Sequence, residues 1–176
     1  MITGKREKEK DGRVMHKVYI KGNYRHKLCG VCGRLIKQAV DQALESEAVD
    51  SLCTVNILIT DDKGIREYNR KYRKTDKTTD VLSFPMQVFL QPGWSGLNTA
   101  EPDMNTGDLP LGDIIISTES VKRQAEEYGN TIKHEIVYLT IHSTLHLLGY
   151  DHQSKQTEIL MHTKNRSIMR KMGFKI

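Results

Sequence analysis

The segment IHSTLHLLGYDH, residues 141–152, limits what this chain can fold into more than any other. His142 and His146 are four residues apart, so on a helix both imidazoles leave the same face, with Cβ atoms roughly 5–6 Å apart. Gly149 is the residue type that most often ends a helix in the left-handed conformation. The short turn after it can return His152 to the same point. We therefore predict a helix whose carboxyl end gathers three imidazoles.

Three converging imidazoles predict a metal site. Zinc binds histidine nitrogens at about 2.0–2.1 Å, and three protein ligands leave a fourth position for water, as in catalytic sites. A pair spaced i, i+4 arises often by chance, so the third histidine beyond the glycine carries the argument. We predict one Zn2+ per chain, held by His142, His146 and His152, and we count His142 among the catalytic residues. His134 lies about 12 Å from His142 along the helix axis. It can support a metal ligand or face the substrate, but a structural role is favoured.

The same spacing occurs in the metzincin peptidases, H-E-x-x-H-x-x-G-x-x-H. Those enzymes need a glutamate next to the first histidine as general base. Ser143 occupies that position here, and a serine hydroxyl cannot replace a carboxylate base. The spacing thus predicts a zinc hydrolase that differs from an ordinary protease, and a metzincin-like peptidase is the weaker alternative.

The chain of 176 residues is long enough for one domain, and 38% hydrophobic with 28% charged residues is ordinary for a globular protein. We expect a flexible basic arm over residues 1–15 and one metal-dependent hydrolase domain over residues 16–176. No apolar run reaches the ~18–20 residues that span a bilayer. The charged amino-terminal segment does not resemble a secretory signal, so we expect a cytoplasmic protein without a membrane partner.

The basic residues concentrate near the amino terminus. The net charge is +5, and residues 1–27 hold nine Lys or Arg against three acids. Such an arm can follow phosphates, although a solvated tail is the favoured interpretation. Cys29 and Cys32 form a C-x-x-C pair, which is half of a structural zinc site. Because MHKVYIKGNYRHKL does not read as a strand, we favour plain buried thiols over a redox pair.

Hydrophobic periodicity predicts an α+β (mixed α/β) fold with one small mixed sheet and helices packed on it. The predicted strands are residues 52–60, a short one within 78–85, and 111–117. The predicted helices are residues 32–46, a segment to about Tyr72 capped by Asp61 or Asp62, one to about Tyr128 capped by Ser117, 131–148 capped by Asn130, and one from Ser154 to about Met172. Residues 86–110 are rich in Gly and Pro, and so long a loop is often functional or disordered.

Three blocks of the sequence resemble the signatures of the YbeY family. HSTLHLLGYDH is similar to H-G-x-L-H-L-x-G-Y-D-H, with Ser143 in place of glycine. YRKTDKTTDVLSFP, residues 72–85, is similar to Y-R-x-x-D-x-x-T-(D/N)-V-L-S-F-P, and LGDIIIS is similar to L-G-D-(I/L)-x-I. The blocks follow the family's order, and the resemblance runs from about residue 50 to 174.

The resemblance implies a metal-dependent endoribonuclease of ribosomal RNA maturation. Its expected partners are single-stranded ribosomal RNA, the small ribosomal subunit and its assembly factors. It implies a metal site at the three histidines and an essential arginine at Arg73, whose guanidinium can hold a phosphodiester. Lys71, Lys74 and Lys77 are candidate phosphate contacts.

Several points stay open at this stage. Asp113 and Ser83 are expected to be architectural. Asp80 or Asp151 can serve as proton acceptor, or the metal hydroxide can act without a separate base. Water or the RNA 2′-hydroxyl can be the attacking group. A function from another class is a ribosome assembly factor whose zinc is structural and which cuts nothing. The sequence does not indicate the oligomeric state.

Overall fold

The structure, a computed structural model, describes residues 14–22 and 28–175, and only the backbone of residues 28–31. The arm predicted over residues 1–15 lies outside the described residues, apart from Val14 and Met15. The boundary of the arm therefore stays a prediction.

A four-stranded mixed sheet forms the centre of the fold, which confirms the predicted α+β class. Its strands are β1 (Lys17–Gly22), β2 (Cys53–Thr60), β3 (Val81–Pro85) and β4 (Leu109–Ser117), in the order β1-β2-β4-β3. Strands β1, β2 and β4 are parallel, and β3 pairs antiparallel with β4. The prediction that no strand precedes residue 28 was wrong. β1 is an edge strand in which only Val18 is buried, so it lacks the alternation that marks a half-buried strand.

In the described part of the chain, the sheet is covered by five helices: α1 (Leu28–Ser46), α2 (Asp62–Arg73), α3 (Thr118–Glu127), α4 (Ile132–Leu147) and α5 (Lys155–Lys171). All five were predicted, although α1 begins four residues earlier than expected. The predicted cap of α4 was wrong by one residue. The backbone of Thr131 is extended, and its hydroxyl oxygen accepts the amide hydrogen bond of His134 at 3.1 Å, so Asn130 lies outside the helix.

Helix α4, which carries two of the histidines, is buried on nearly all sides. It packs on α1, α3, α5 and the strands β3 and β4. A helix surrounded in this way needs no single apolar stripe, because every face contacts protein. Core packing therefore fixes the positions from which His142 and His146 project. Within the described residues, no helix combines the length and apolarity needed to cross a bilayer.

The Gly- and Pro-rich segment is folded, and its last two residues, Leu109 and Pro110, belong to β4. It contains one turn of 3-10 helix, Trp94–Gly96. The Leu90 amide donates to the carbonyl of Gly96 at 2.7 Å, which closes the loop on itself. The Gly93 amide donates to the carbonyl of Leu148 at 3.0 Å, so the loop is also tied to the end of α4.

Candidate metal centre

The structure brings His142, His146 and His152 together. One ligand nitrogen from each can be chosen so that all three lie within 4.8 Å of one another. The ring centroids are 4.7 Å apart for His142 and His146, and 5.0 Å apart for His146 and His152. Within the described residues, this is the one group of histidine, cysteine or acidic side chains with such spacing.

The turn after α4 sets the position of the third histidine. The amide of Tyr150 donates to the carbonyl of Leu145 at 3.1 Å, and Gly149 has a φ of +82°, as in the helix-ending motif that glycine favours. A Cβ atom on Gly149 would lie 2.5 Å from Cβ of Phe89. Glycine is thus required both by the backbone angle and by the loop residue packed against it. The reversed chain then carries His152 back toward the helix.

A backbone carbonyl orients His146. Its Nδ1 lies 2.8 Å from the carbonyl oxygen of Tyr150. Because a carbonyl can only accept, this hydrogen bond places the proton on Nδ1 and leaves Nε2 free for a metal. Burial lowers the pKa of His146, and the charges of His152 and Arg73 lower it further, while the bond to Tyr150 opposes the shift. The imidazole is therefore kept neutral, as a metal ligand must be.

A buried polar cluster anchors Tyr150. Its hydroxyl donates to Oε2 of Glu47 at 2.7 Å, and Nζ of Lys164 donates to Oε1 of Glu47 at 2.6 Å. The Glu47 side chain is only 5% exposed, so both hydrogen bonds are shielded from water. Sequence reasoning missed this cluster because Glu47 lies 103 residues before Tyr150, and no local pattern links the two.

His142 is partly buried, as is His146. Burial lowers its pKa to about 4, and the neighbouring His146 and His152 contribute to the shift. Its ring stacks on Tyr138, with centroids 6.1 Å apart and planes 14° from parallel. Its Nδ1 is buried without a hydrogen-bond partner among the described residues. Neutral imidazoles, one fixed by a carbonyl and one with an unpartnered nitrogen, suit a divalent transition metal such as zinc.

The open side of the centre is formed by His152, which is exposed. Asp151 beside it has one oxygen that accepts the Gln153 amide at 3.3 Å. Both oxygens of Asp80 are engaged already, Oδ1 by the Val81 amide and Oδ2 by Nε2 of Gln124. The charge of Asp151 raises the pKa of His146, and the charge of Asp80 raises the pKa of His142, although burial lowers both pKa values overall.

Arg73, the last residue of α2, lies beside this centre. Its Nη2 donates to the carbonyl of Ser83 at 2.8 Å, and its Cζ lies 5.7 Å from the centroid of the Phe84 ring. Its charge acts on His146. β3 thus positions the arginine through a backbone carbonyl, and the guanidinium keeps donors for another group.

The three candidate lysines, Lys71, Lys74 and Lys77, lie close to Arg73 in the sequence. None of them contacts the histidines. Lys71 and Lys77 are exposed. Nζ of Lys74 turns back to the carbonyl of Lys71 at 3.1 Å. Their part in substrate binding stays a prediction.

Other residues singled out in the sequence make their contacts away from the three histidines. Nε2 of His134 lies 3.1 Å from the carbonyl oxygen of Lys175, away from the metal centre. Asp113 accepts a hydrogen bond from Asn56 at 2.9 Å across the paired strands β2 and β4. Cys32 is a buried free thiol, and burial raises its pKa; the side chain of Cys29 lies outside the described residues.

Comparison with known proteins gives a family. The family model described as Endoribonuclease YbeY matches residues 26–173. The Endoribonuclease YbeY of Agathobacter rectalis is 42% identical over 144 residues, and that of Caldanaerobacter subterraneus is 40% identical over 141 residues. Each alignment covers 80% of this chain and 87% of the relative.

A solved structure has a similar fold. The solution structure of a Thermotoga maritima protein aligns with a TM-score of 0.51 and 23% identity, over 90% of this chain and 91% of that one. At this identity the likeness concerns the fold alone, and it agrees with the single mixed sheet described above.

Proposed function

Because this chain belongs to the YbeY family of endoribonucleases, we propose that it is a zinc-dependent endoribonuclease that cuts single-stranded ribosomal RNA. Its place of action would be the cytoplasm, during maturation of the small ribosomal subunit and alongside its assembly factors. The observation that carries the proposal is the convergence of three histidine side chains at a centre open to solvent beside a positioned arginine.

His142, His146 and His152 would hold the metal. When bound, zinc supplies Lewis-acid polarisation of a phosphoryl oxygen and activates water at neutral pH. The protein contributes the rigid helix α4, the proton on Nδ1 of His146, and the exposed edge at His152 through which an RNA strand can approach.

Arg73 would bind the phosphodiester that is cut. A guanidinium fixed at one end by the Ser83 carbonyl can present two N–H groups to phosphate oxygens and stabilise negative charge that develops on them. Lys71, Lys74 and Lys77 would extend contacts to neighbouring phosphates, where flexible ammonium groups act as point charges.

Asp151 is the better placed of the two candidate proton acceptors. Both oxygens of Asp80 already accept hydrogen bonds, whereas one oxygen of Asp151 has no protein donor among the described residues. Asp151 can therefore take a proton from the attacking water or 2′-hydroxyl. A 2′,3′-cyclic phosphate end on the product would identify the second route.

The two alternatives have less support. A structural zinc site is normally closed by four protein ligands, but the group found among the described residues has three, and the third is exposed. A metzincin-like peptidase needs a carboxylate directly after the first histidine. That residue is Ser143, which is fully buried with no hydrogen-bond partner among the described residues.

The proposal is tested by cleavage of an end-labelled, single-stranded ribosomal RNA fragment. Arg73→Glu is compared with Arg70→Glu, which places the same charge change one turn earlier on α2 at another exposed arginine. We expect Arg73→Glu to lower the cleavage rate by at least ~100-fold, the cost of losing a transition-state donor. Arg70→Glu should stay close to wild type. Equal cleavage by all three proteins would overturn the assignment of the activity to this site.

A further inference from the structure

A cavity of about 480 Å³ lies next to the metal centre. Tyr138 separates the two, because its side chain lines the cavity while its ring stacks on His142. Cavities of several hundred Å³ are the size that holds small organic groups. Any group bound there would sit one side chain away from a metal ligand.

The cavity has a polar floor. Glu135 lines it and is only 4% exposed. The neighbouring His134 lines it as well, with Nδ1 4.0 Å from Oε2 of Glu135. That Nδ1 is buried and has no hydrogen-bond partner among the described residues. Buried polar atoms are nearly always satisfied, so an unsatisfied nitrogen beside a buried carboxyl group indicates a site that a polar ligand completes.

The rim of the cavity is aromatic and cationic. Tyr128 lines it with 64% of its surface exposed. Arg166 of α5 lines it too, and no acid of the described chain forms an ion pair with this arginine. The remaining lining residues are Asp80, Gln124, Asn130 and Leu139, and Oδ2 of Asp80 already accepts a hydrogen bond from Nε2 of Gln124. An exposed aromatic ring beside an unpaired guanidinium is a surface on which a base stacks while a phosphate is held.

We propose that this cavity binds one base of the RNA, adjacent to the phosphodiester that is cut, and prefers bases with an exocyclic amino group. The inference rests on the proposed function, since it assigns a specificity site to the same enzyme. Tyr128 would stack on the base, Glu135 would accept the amino hydrogen bond, and Arg166 would contact a flanking phosphate. Uracil would be disfavoured, because it has no exocyclic amino group and offers Glu135 only a ring N3–H flanked by two carbonyl oxygens.

The first test maps cleavage positions in a pool of single-stranded RNA of random sequence. At one position flanking the cut, wild type should deplete uracil relative to cytosine, adenine and guanine. Glu135→Gln should lose this discrimination, because an amide can both donate and accept. Tyr128→Ala should raise KM about tenfold with kcat little changed, as expected for a lost stacking partner.

Matched controls are available outside the cavity. Tyr19 is a comparably exposed tyrosine, at 54%, on the edge strand at the opposite side of the sheet. Glu126 is an exposed glutamate of α3. Tyr19→Ala and Glu126→Gln should keep the wild-type KM and base preference. Tyr128 is exposed, so Tyr128→Ala tests the proposal even if replacement of the buried Glu135 impairs folding.

A second readout needs no cleavage. Cytidine and uridine 5′-monophosphate, which have no phosphodiester linkage to cut, are titrated into the full-length, metal-loaded protein. Cytidine monophosphate should bind several-fold more tightly, and Tyr128→Ala and Glu135→Gln should remove the difference.

The two readouts separate the claims. If RNA is cut but neither variant alters base preference or nucleotide binding, the cavity proposal is wrong and the nuclease stands. If no RNA is cut but the nucleotide preference is present and sensitive to the variants, the nuclease proposal fails and the cavity stands.

Discussion

The carbonyl oxygen of Tyr150 lies 2.8 Å from Nδ1 of His146, so a residue of the turn after α4 orients a ligand within the helix. Tyr150 is held in turn by Glu47 near the end of α1. Contacts between distant parts of the chain therefore fix the orientation of one imidazole ring. Such outer contacts raise metal affinity because they fix the ligand before the ion binds.

Gly149→Ala should weaken the metal site and the fold, and Gly173→Ala is its matched control. Both glycines have a φ of +82°, but an added Cβ meets Phe89 at Gly149 and open space at Gly173. Gly173→Ala should cost about 1–2 kcal/mol of unfolding free energy, the penalty for a left-handed residue. Gly149→Ala should cost more and also lower metal affinity at least ~10-fold.

Urea denaturation of the two variants measures the loss of unfolding free energy, and metal titration measures the loss of affinity. Equal losses of stability with unchanged metal affinity would show that contact with Phe89 does not hold the turn.

Metal removal should leave the protein folded. Helix α4 is packed against α1, α3, α5, β3 and β4, and the metal ligands lie in its last two turns and in an exposed turn after it. The bound ion should stabilise the fold only by mass action, so the melting temperature should depend on metal concentration. Melting curves with and without a chelator measure the effect. Loss of the cooperative transition on chelation would instead indicate a structural zinc, as in domains that fold only with metal.

His16 should make stability depend on pH. Burial lowers its pKa from 6.5 to about 4, and its Nδ1 accepts the amide hydrogen bond of Cys53 at 3.4 Å, which requires a neutral ring. Above pH 6.5 the ring is neutral in both states. As the pH falls from 6.5 to about 4, the unfolded chain binds the proton more readily, so the free energy of unfolding decreases.

The His16→Gln variant isolates this contribution. Its unfolding free energy should decrease less steeply than that of wild type when urea denaturation is repeated at about pH 7, 5.5 and 4.5. Parallel curves for the two proteins would contradict the role of His16. Comparing slopes removes the effect of acids that titrate in the same range.

Local sequence patterns predicted most of the fold and the centre of the site. The i, i+4 spacing of His142 and His146 with Gly149 defined the helix end because those relationships span one or two helical turns. The alternation in β2 predicted its buried face, which Cys53, Val55, Ile57 and Ile59 form in the structure.

What the sequence could not supply depends on contacts between distant residues. β1 has one buried side chain, so its hydrophobic pattern does not indicate a strand. It is a strand because it pairs with β2. Asn130 and Thr131 both suit the N-cap position of α4. The backbone angles decide which of the two begins the helix, and the sequence alone does not give those angles. The contact of Tyr150 with Glu47 and the cavity beside Tyr138 arise only when α1, α3, α4 and α5 are packed together.

The most direct test of the account measures metal content and RNA cleavage on the same samples. Full-length wild type, His142→Ala and His16→Gln are stripped of metal, reconstituted with zinc, and assayed on labelled single-stranded ribosomal RNA. We predict about one zinc per chain and cleavage only after reconstitution for wild type and His16→Gln, and neither for folded His142→Ala. Cleavage by stripped protein, or by His142→Ala at the wild-type rate, would contradict the claim that these histidines hold a catalytic metal.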